Sequence, residues 1–129
     1  MASRRTPHSW WKDFTFDSGI ACAEQLLDLP EKPTAIFASN DDMAAGVIAA
    51  CYRRQVHIPE DLSVAGFDDT PLASTISPSL TTIYQPSREL ASEAVGLLLE
   101  EISAPSEVPR RHILKYRMVP RDSTAQPPR

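Results

Sequence analysis

Apolar positions along the chain recur with two different spacings, and their alternation predicts helices and strands in turn. Between residues 18 and 29 they come three and four apart, which is typical of a helix with one buried face. Residues 34–38 and 62–67 are short apolar runs without polar alternation, which is typical of strands covered on both faces. The helical spacing returns between those two runs. Residues 34–67 are therefore predicted to form a right-handed parallel βαβ unit.

The second half of the chain continues the alternation. Residues 80–84 are β-branched and aromatic and predict a strand. A helix is predicted from Ser87 to about residue 102, and a last strand region at 113–119. Together these elements predict an α/β fold, a doubly wound parallel sheet. The polar ends, residues 1–12 and 125–129, are predicted to be disordered, which leaves one domain over residues 13–124.

Composition and charge exclude several classes of protein. A net charge of −4 argues against a dominant nucleic-acid surface. No apolar run is long enough to span a membrane, and the N-terminus lacks the apolar stretch of a secretory signal. Cys22 and Cys51 fall within helical patterns and are interpreted as reduced core residues of a cytoplasmic protein. The three histidines are far apart and show no ligand spacing, so neither a metal nor a cofactor is expected.

Polar side chains follow both strands of the βαβ unit. Asn40 comes after the first strand and Asp68 after the second. Because parallel strands end at the same edge of a sheet, and open α/β sheets bind ligands there, the two could meet at one ligand. An amide with a carboxylate suits a hydroxyl-rich molecule such as a sugar. The alternative is structural: Asn40 could cap the next helix with Asp41 and Asp42 in its first turn, and Asp68 could belong to a plain turn.

An enzyme is the weaker interpretation of the same acids. Carboxylates at strand ends can hold Mg²⁺ for phosphoryl transfer. The chain has only four scattered glycines, so no phosphate-binding loop is visible, and no lysine is placed near these strand ends. Catalysis is therefore not expected.

Several stretches, in a fixed order, carry a resemblance to a known family. They are DFTFDSG, PTAIFASNDDMAAGV, IPEDLSVAGFDDTPLA and LTTIYQP, followed by RDST near the C-terminus. Together they resemble the lactose-repressor/galactose-repressor (LacI/GalR) family of bacterial transcription regulators over about residues 13–124. The resemblance implies one lobe, mainly the C-terminal one, of a periplasmic-binding-protein-like type I fold.

The resemblance also implies functional residues. In this family two lobes close over a small effector, often a sugar, and the positions matching its cleft residues are Asn40 and Asp68. The aromatic that packs on the sugar corresponds best to Phe14 and less well to Phe16, and a further cleft position corresponds to Ser87. The family forms homodimers through the helix after the SND motif and the loop beyond GFDD, where the matching residues are Ala45, Ile48, Tyr52 and Ile76.

The family pattern is matched only in part. Its helix-turn-helix, hinge helix and N-terminal lobe have no counterpart here, so DNA binding is expected only through a domain absent from this chain. The helix at 87–102 would pack in the absent lobe, and its apolar stripe is expected to be partly bare. The expected function is the effector-sensing and dimerisation portion of a LacI-family regulator. The alternative is a sugar-binding module not involved in transcription.

Overall fold

The computed structural model describes residues 13–127. The disorder predicted for residues 1–12 lies outside this range, as does the very end of the predicted tail. Helices and strands alternate along the chain, in the order α1 (Phe16–Leu27), β1 (Ala35–Phe37), α2 (Asp41–Arg53), β2 (Ser63–Ala65), α3 (Pro71–Thr75), β3 (Thr82–Tyr84), α4 (Ser87–Ser103) and β4 (Arg117–Val119).

The strands confirm the βαβ unit and extend it. β1 and β2 are parallel, with Ile36 opposite Val64, and α2 connects them. Parallel bridges at Ala65–Thr81 and Asp68–Tyr84 place β3 on the far side of β2. β4 then pairs antiparallel with β3. The last strand region is therefore an antiparallel edge, which the periodicity of residues 113–119 did not indicate.

The first two helices pack closely against each other because glycines lie at their contact. A Cβ on Gly19 would meet the backbone of Met43, and one on Gly46 would meet the backbone of Phe16. The first helix begins at Phe16, slightly earlier than predicted, because Thr15 and Ser18 form a reciprocal capping box. The buried core lies between these helices and the sheet, and its largest apolar members are Leu27, Ile36, Val47, Leu62, Val64 and Leu80.

The prediction that β1 is covered on both faces is wrong for the described part of the chain. Ile36 is buried in the core, but its neighbours Ala35 and Phe37 are exposed, Phe37 to 64%. Alternate residues of a strand point to opposite faces, and the helices at 16–27 and 41–53 pack against only one of them. An uninterrupted apolar run here marks a strand whose second face has no cover among residues 13–127.

The long helix α4 carries the bare apolar stripe that was expected. None of its residues is buried. The large exposed apolar side chains on it are Leu90, Val95, Leu98, Leu99 and Ile102. The segment after it returns along the helix through an ion pair of Arg110 with Glu100 and a hydrogen bond between His112 and Glu93. No helix within residues 13–127 combines the length and apolar character needed to cross a membrane.

Candidate functional site

Asn40 stands where β1 gives way to α2, and its amide is bonded on both sides. Its Oδ1 accepts the backbone N–H of Met43 at 2.8 Å, which is an N-cap bond. Its Nδ2 donates to the backbone carbonyl of Phe14 at 3.0 Å. The capping interpretation of Asn40 is therefore confirmed. One N–H and one lone pair of the amide are not used by these bonds.

The same bond brings the predicted aromatic to this edge of the sheet. Phe14 is tied to Asn40 through its backbone carbonyl, while its side chain is 62% exposed. Ser87 lies at the first residue of α4, exposed, and its N–H donates to the carbonyl of Gln85 at 2.9 Å. Phe14 therefore bonds directly to Asn40, whereas Ser87 is connected to this edge of the sheet by its bond to Gln85.

Asp68 lies in a turn beyond β2, partly buried, with a backbone φ of 111°. Its N–H donates to the carbonyl of Ile83 at 2.9 Å, and its Oδ1 accepts Nε2 of Gln85 at 2.5 Å. Burial raises the pKa of Asp68, the hydrogen bond from Gln85 lowers it, and the nearby charges of Asp41 and Asp42 raise it. The negative charges that raise the pKa of Asp68 therefore belong to Asp41 and Asp42, which follow the neighbouring strand β1.

Gln85 was missed by the sequence-based reasoning. It follows β3 directly, so it occupies the same kind of position as Asn40 after β1 and Asp68 after β2. The signal was present in the stretch LTTIYQ, whose last residue is a long amide at a strand end. Three adjacent parallel strands therefore each deliver a hydrogen-bonding side chain to one edge.

Asp41 does more than start a helix, which corrects the interpretation given to it and Asp42 as a pair. Asp42 is exposed in the first turn, whereas Asp41 is completely buried. Oδ2 of Asp41 accepts the N–H of Thr70 at 2.7 Å and its hydroxyl at 3.1 Å. Its Oδ1 accepts the hydroxyl of Thr82 at 2.6 Å. Asp41 thus joins α2 to the turn after β2 and to β3.

The RDST segment near the C-terminus closes the other side of this turn. Arg121 donates from Nη2 to Oδ1 of Asp69 at 2.6 Å and from Nη1 to the carbonyl of Leu80 at 2.8 Å. The hydroxyl of Ser123, which is buried, accepts the N–H of Thr81 at 2.8 Å. The segment therefore fastens the loop beyond β2 to the start of β3.

A cavity of about 460 Å³ borders this edge of the sheet between β3, α4 and the segment before β4. Its lining is mostly apolar and includes Phe67, Ile83, Gln85, Leu90 and Tyr116. The four predicted ligand residues are not among its lining residues, and Gln85 is the link between the cavity and Asp68. The edge thus combines oxygen acceptors, amide donors and apolar surface.

The four residues assigned by resemblance to a dimer interface differ in accessibility. Tyr52 is 85% exposed on α2, and Ile48 and Ile76 are partly buried. Ala45 is 7% exposed, so it offers little surface to a partner. The interface itself stays a prediction.

Among the described residues, no group of three or more histidine, cysteine, aspartate or glutamate side chains is arranged so that it could hold a metal ion. Both cysteines are free thiols, Cys22 partly buried and Cys51 fully buried. Burial raises the pKa of Cys51 to about 11.

Comparison with known proteins gives a consistent result. The family of periplasmic binding protein-like domains matches residues 2–124. The ribose operon repressor of Escherichia coli (strain K12) is 44% identical over 94 residues, which are 73% of this chain and 28% of the repressor. The chain therefore matches less than a third of that relative's length.

Solved structures of similar sequence share the fold. A LacI family transcriptional regulator from Enterococcus faecium with bound ribose is 35% identical, with a TM-score of 0.74 over 88% of this chain and 41% of that one. The complex of the transcriptional regulator CelR with cellobiose is 33% identical, with a TM-score of 0.79 over 86% of this chain and 34% of that one.

Proposed function

This chain belongs to the family of periplasmic binding protein-like domains, and on that premise we propose that it is the effector-sensing part of a LacI-type transcription regulator. Its relatives are a ribose operon repressor and LacI-family regulators, one solved with ribose and another with cellobiose. We propose a small sugar as the effector and the cytoplasm as the site of action. We propose no catalytic activity, because these relatives are regulators.

The observation that carries the proposal is the carboxylate of Asp68. It is partly buried at the end of β2, and Gln85 holds it from the end of β3. Burial and neighbouring acids disfavour its charged form, so folding alone does not favour a carboxylate at this position. A ligand that donates hydrogen bonds would relieve that cost, and sugar hydroxyls are such donors.

Each residue at the edge has a distinct role in this proposal. Asp68 accepts hydrogen bonds from sugar hydroxyls. Asn40 contributes the amide N–H and the lone pair that its bonds to Met43 and Phe14 do not use. The exposed ring of Phe14 packs on the apolar face of the sugar. Ser87 leaves room at the start of α4, and Gln85 fixes Asp68 from the side.

Regulation would follow from a shift of populations. An effector that binds one arrangement of the complete regulator more tightly changes the population of that arrangement, and with it the affinity of a linked DNA-binding domain. The chain contributes the sugar-binding edge. We further propose that it pairs as a homodimer through α2 and the loop beyond α3, with Ile48, Tyr52 and Ile76 at the contact.

The test is direct binding of sugars to the chain. Isothermal titration with D-ribose and with cellobiose is expected to give saturable binding of at least one of them. Asp68→Asn should weaken that binding by about 10- to 100-fold, because a hydrogen bond to a charged group contributes roughly 1.5–3 kcal/mol.

Asp42→Asn is the matched control, since it neutralises an exposed acid at the same edge. It should change the affinity by no more than about twofold, as expected for a surface position. Equal losses of sugar affinity in the two variants would show that binding depends on the total negative charge of the edge and not on the position of Asp68. Undiminished binding by Asp68→Asn would exclude Asp68 from the site.

A further inference from the structure

The turn at residues 68–70 is held by side chains from three separate elements. Gln85, at the end of β3, donates to the first residue of the turn at 2.5 Å. Arg121, in the RDST segment, donates to the second at 2.6 Å. Asp41, at the start of α2, accepts from the backbone of the third at 2.7 Å. Each residue of the turn therefore has its own external partner.

The turn needs such support because its backbone is strained. Asp68 has a φ of 111° and Asp69 a φ of 55°. Residues other than glycine adopt positive φ rarely and at a cost, and they persist there only when the surroundings enforce it. Two such residues in succession would relax if their partners were removed, and the Asp68 carboxylate would move with the backbone.

Arg121 makes three hydrogen bonds that restrain this conformation. Its two Nη atoms bind the carboxylate of Asp69 and the carbonyl of Leu80, and its backbone N–H donates to the hydroxyl of Thr81 at 2.9 Å. The side chains of Arg121 and Asp69 are only 20% and 13% exposed, so solvent screens their attraction weakly. A planar guanidinium fixes two acceptors in one geometry, which a lysine does not.

We propose that Arg121 is a positioning residue for effector binding, which holds the turn through Asp69 and so presents Asp68 at the sheet edge. This inference rests on the proposed function of Asp68. Arg121 does not touch the sugar in this scheme. Its effect passes through Asp69 and the strained backbone to the neighbouring carboxylate.

The first test needs no ligand. Amide hydrogen exchange, followed by NMR, reports local opening at each residue. In Arg121→Met the amides of Asp68 and Thr70 should exchange about tenfold faster than in the wild type, beyond any change at the amide of Ala50, which is buried within α2. Arg117→Met is the control: Arg117 lies four residues earlier, over the ring of Tyr84 at 4.8 Å, and does not bind the turn.

The second test is the affinity for the sugar that the wild type binds, D-ribose or cellobiose. Arg121→Met should bind it about tenfold more weakly, as expected when one charge-assisted bond fixing the site is lost. Arg121→Lys keeps the positive charge but lacks the planar guanidinium that binds two acceptors at once, so it should recover only part of the affinity. Arg117→Met should bind like the wild type. If Arg121→Met does not fold, Asp69→Asn removes the negative charge of the same pair from the other side.

The outcomes separate this inference from the proposed function. Exchange at Asp68 and Thr70 that rises no more than at Ala50 would make Arg121 a contributor to global stability only and overturn the positioning role. Wild-type affinity in a folded Arg121→Met would overturn it as well. A wild-type chain that binds neither sugar would overturn the proposed function, while the exchange result would still decide whether Arg121 holds the turn.

Discussion

Asp41 and Asp42 are adjacent and identical, yet the structure predicts very different consequences of replacing them. Asp41 is completely buried and accepts three hydrogen bonds, two from Thr70 and one from Thr82. Replacing it with alanine leaves at least the Thr70 N–H and the Thr82 hydroxyl without their acceptor. Each unsatisfied buried donor costs about 1–3 kcal/mol, so Asp41→Ala should lower the free energy of unfolding by roughly 2–6 kcal/mol.

That loss would be large compared with the ~5–15 kcal/mol stability of a typical domain. Asp42→Ala removes only an exposed acid from the first turn of the same helix, and its loss should be about 0.3–1 kcal/mol. Asp41→Asn keeps the shape and one acceptor oxygen, so its loss should lie between those of the two alanine variants. This series separates the geometry of the acceptors from the charge.

Urea unfolding followed by circular dichroism measures all three variants, and a shift of the midpoint at constant slope reports stability alone. Losses for Asp41→Ala and Asp42→Ala that agree within about 0.5 kcal/mol would refute the role assigned to Asp41. If Asp41→Ala were more stable than the wild type, burial of the carboxylate would cost more free energy than its hydrogen bonds contribute.

Three further predictions concern packing, pH and thiol reactivity. Gly19→Ala should lower the free energy of unfolding by about 1–3 kcal/mol, since the added Cβ would meet the backbone of α2. Gly96→Ala should raise the free energy of unfolding by about 0.5–1 kcal/mol, because a Cβ there meets no atom within 4 Å and alanine favours the helix. A urea titration in which Gly96→Ala is the less stable variant would contradict the close contact of α1 with α2. Because the folded pKa of Asp68 is raised, the folded state binds more protons at that residue just above the ordinary value of 3.8, so the contribution of Asp68 to stability falls as pH rises from there through the raised value. Asp68→Asn should remove that fall, and urea midpoints between pH 3 and 7 that keep it would assign it to another group. Iodoacetamide at pH 8 should label Cys22 before Cys51 in the folded chain, because Cys51 is buried with a pKa of about 11. Both cysteines lie in one tryptic peptide, so fragmentation of that peptide by tandem mass spectrometry would show the order.

Much of the fold follows from local pattern. Apolar spacing located the two main helices and the parallel strand pair, and the strand-end position of Asn40 predicted its N-cap bond, because these features depend on residues close together in the chain. The same reasoning placed Asp68 at the carboxyl end of β2. The bare stripe of α4 was expected from the family resemblance, in which this helix packs in the absent lobe, and not from its apolar spacing.

The contacts that define the edge could not be read from local pattern. Asp41 and Asp42 carry the same chemistry, and only the direction in which the helix packs against the sheet makes one buried and the other exposed. Arg121 and Asp69 are 52 residues apart, and Gln85 and Asp68 are 17 apart. Such pairs form because strands that are distant in the chain become neighbours in the sheet, which no periodicity records. The sequence therefore predicts which residues reach the carboxyl edge, and the packing of distant segments determines which of them hold the turn and which are left to bind a ligand.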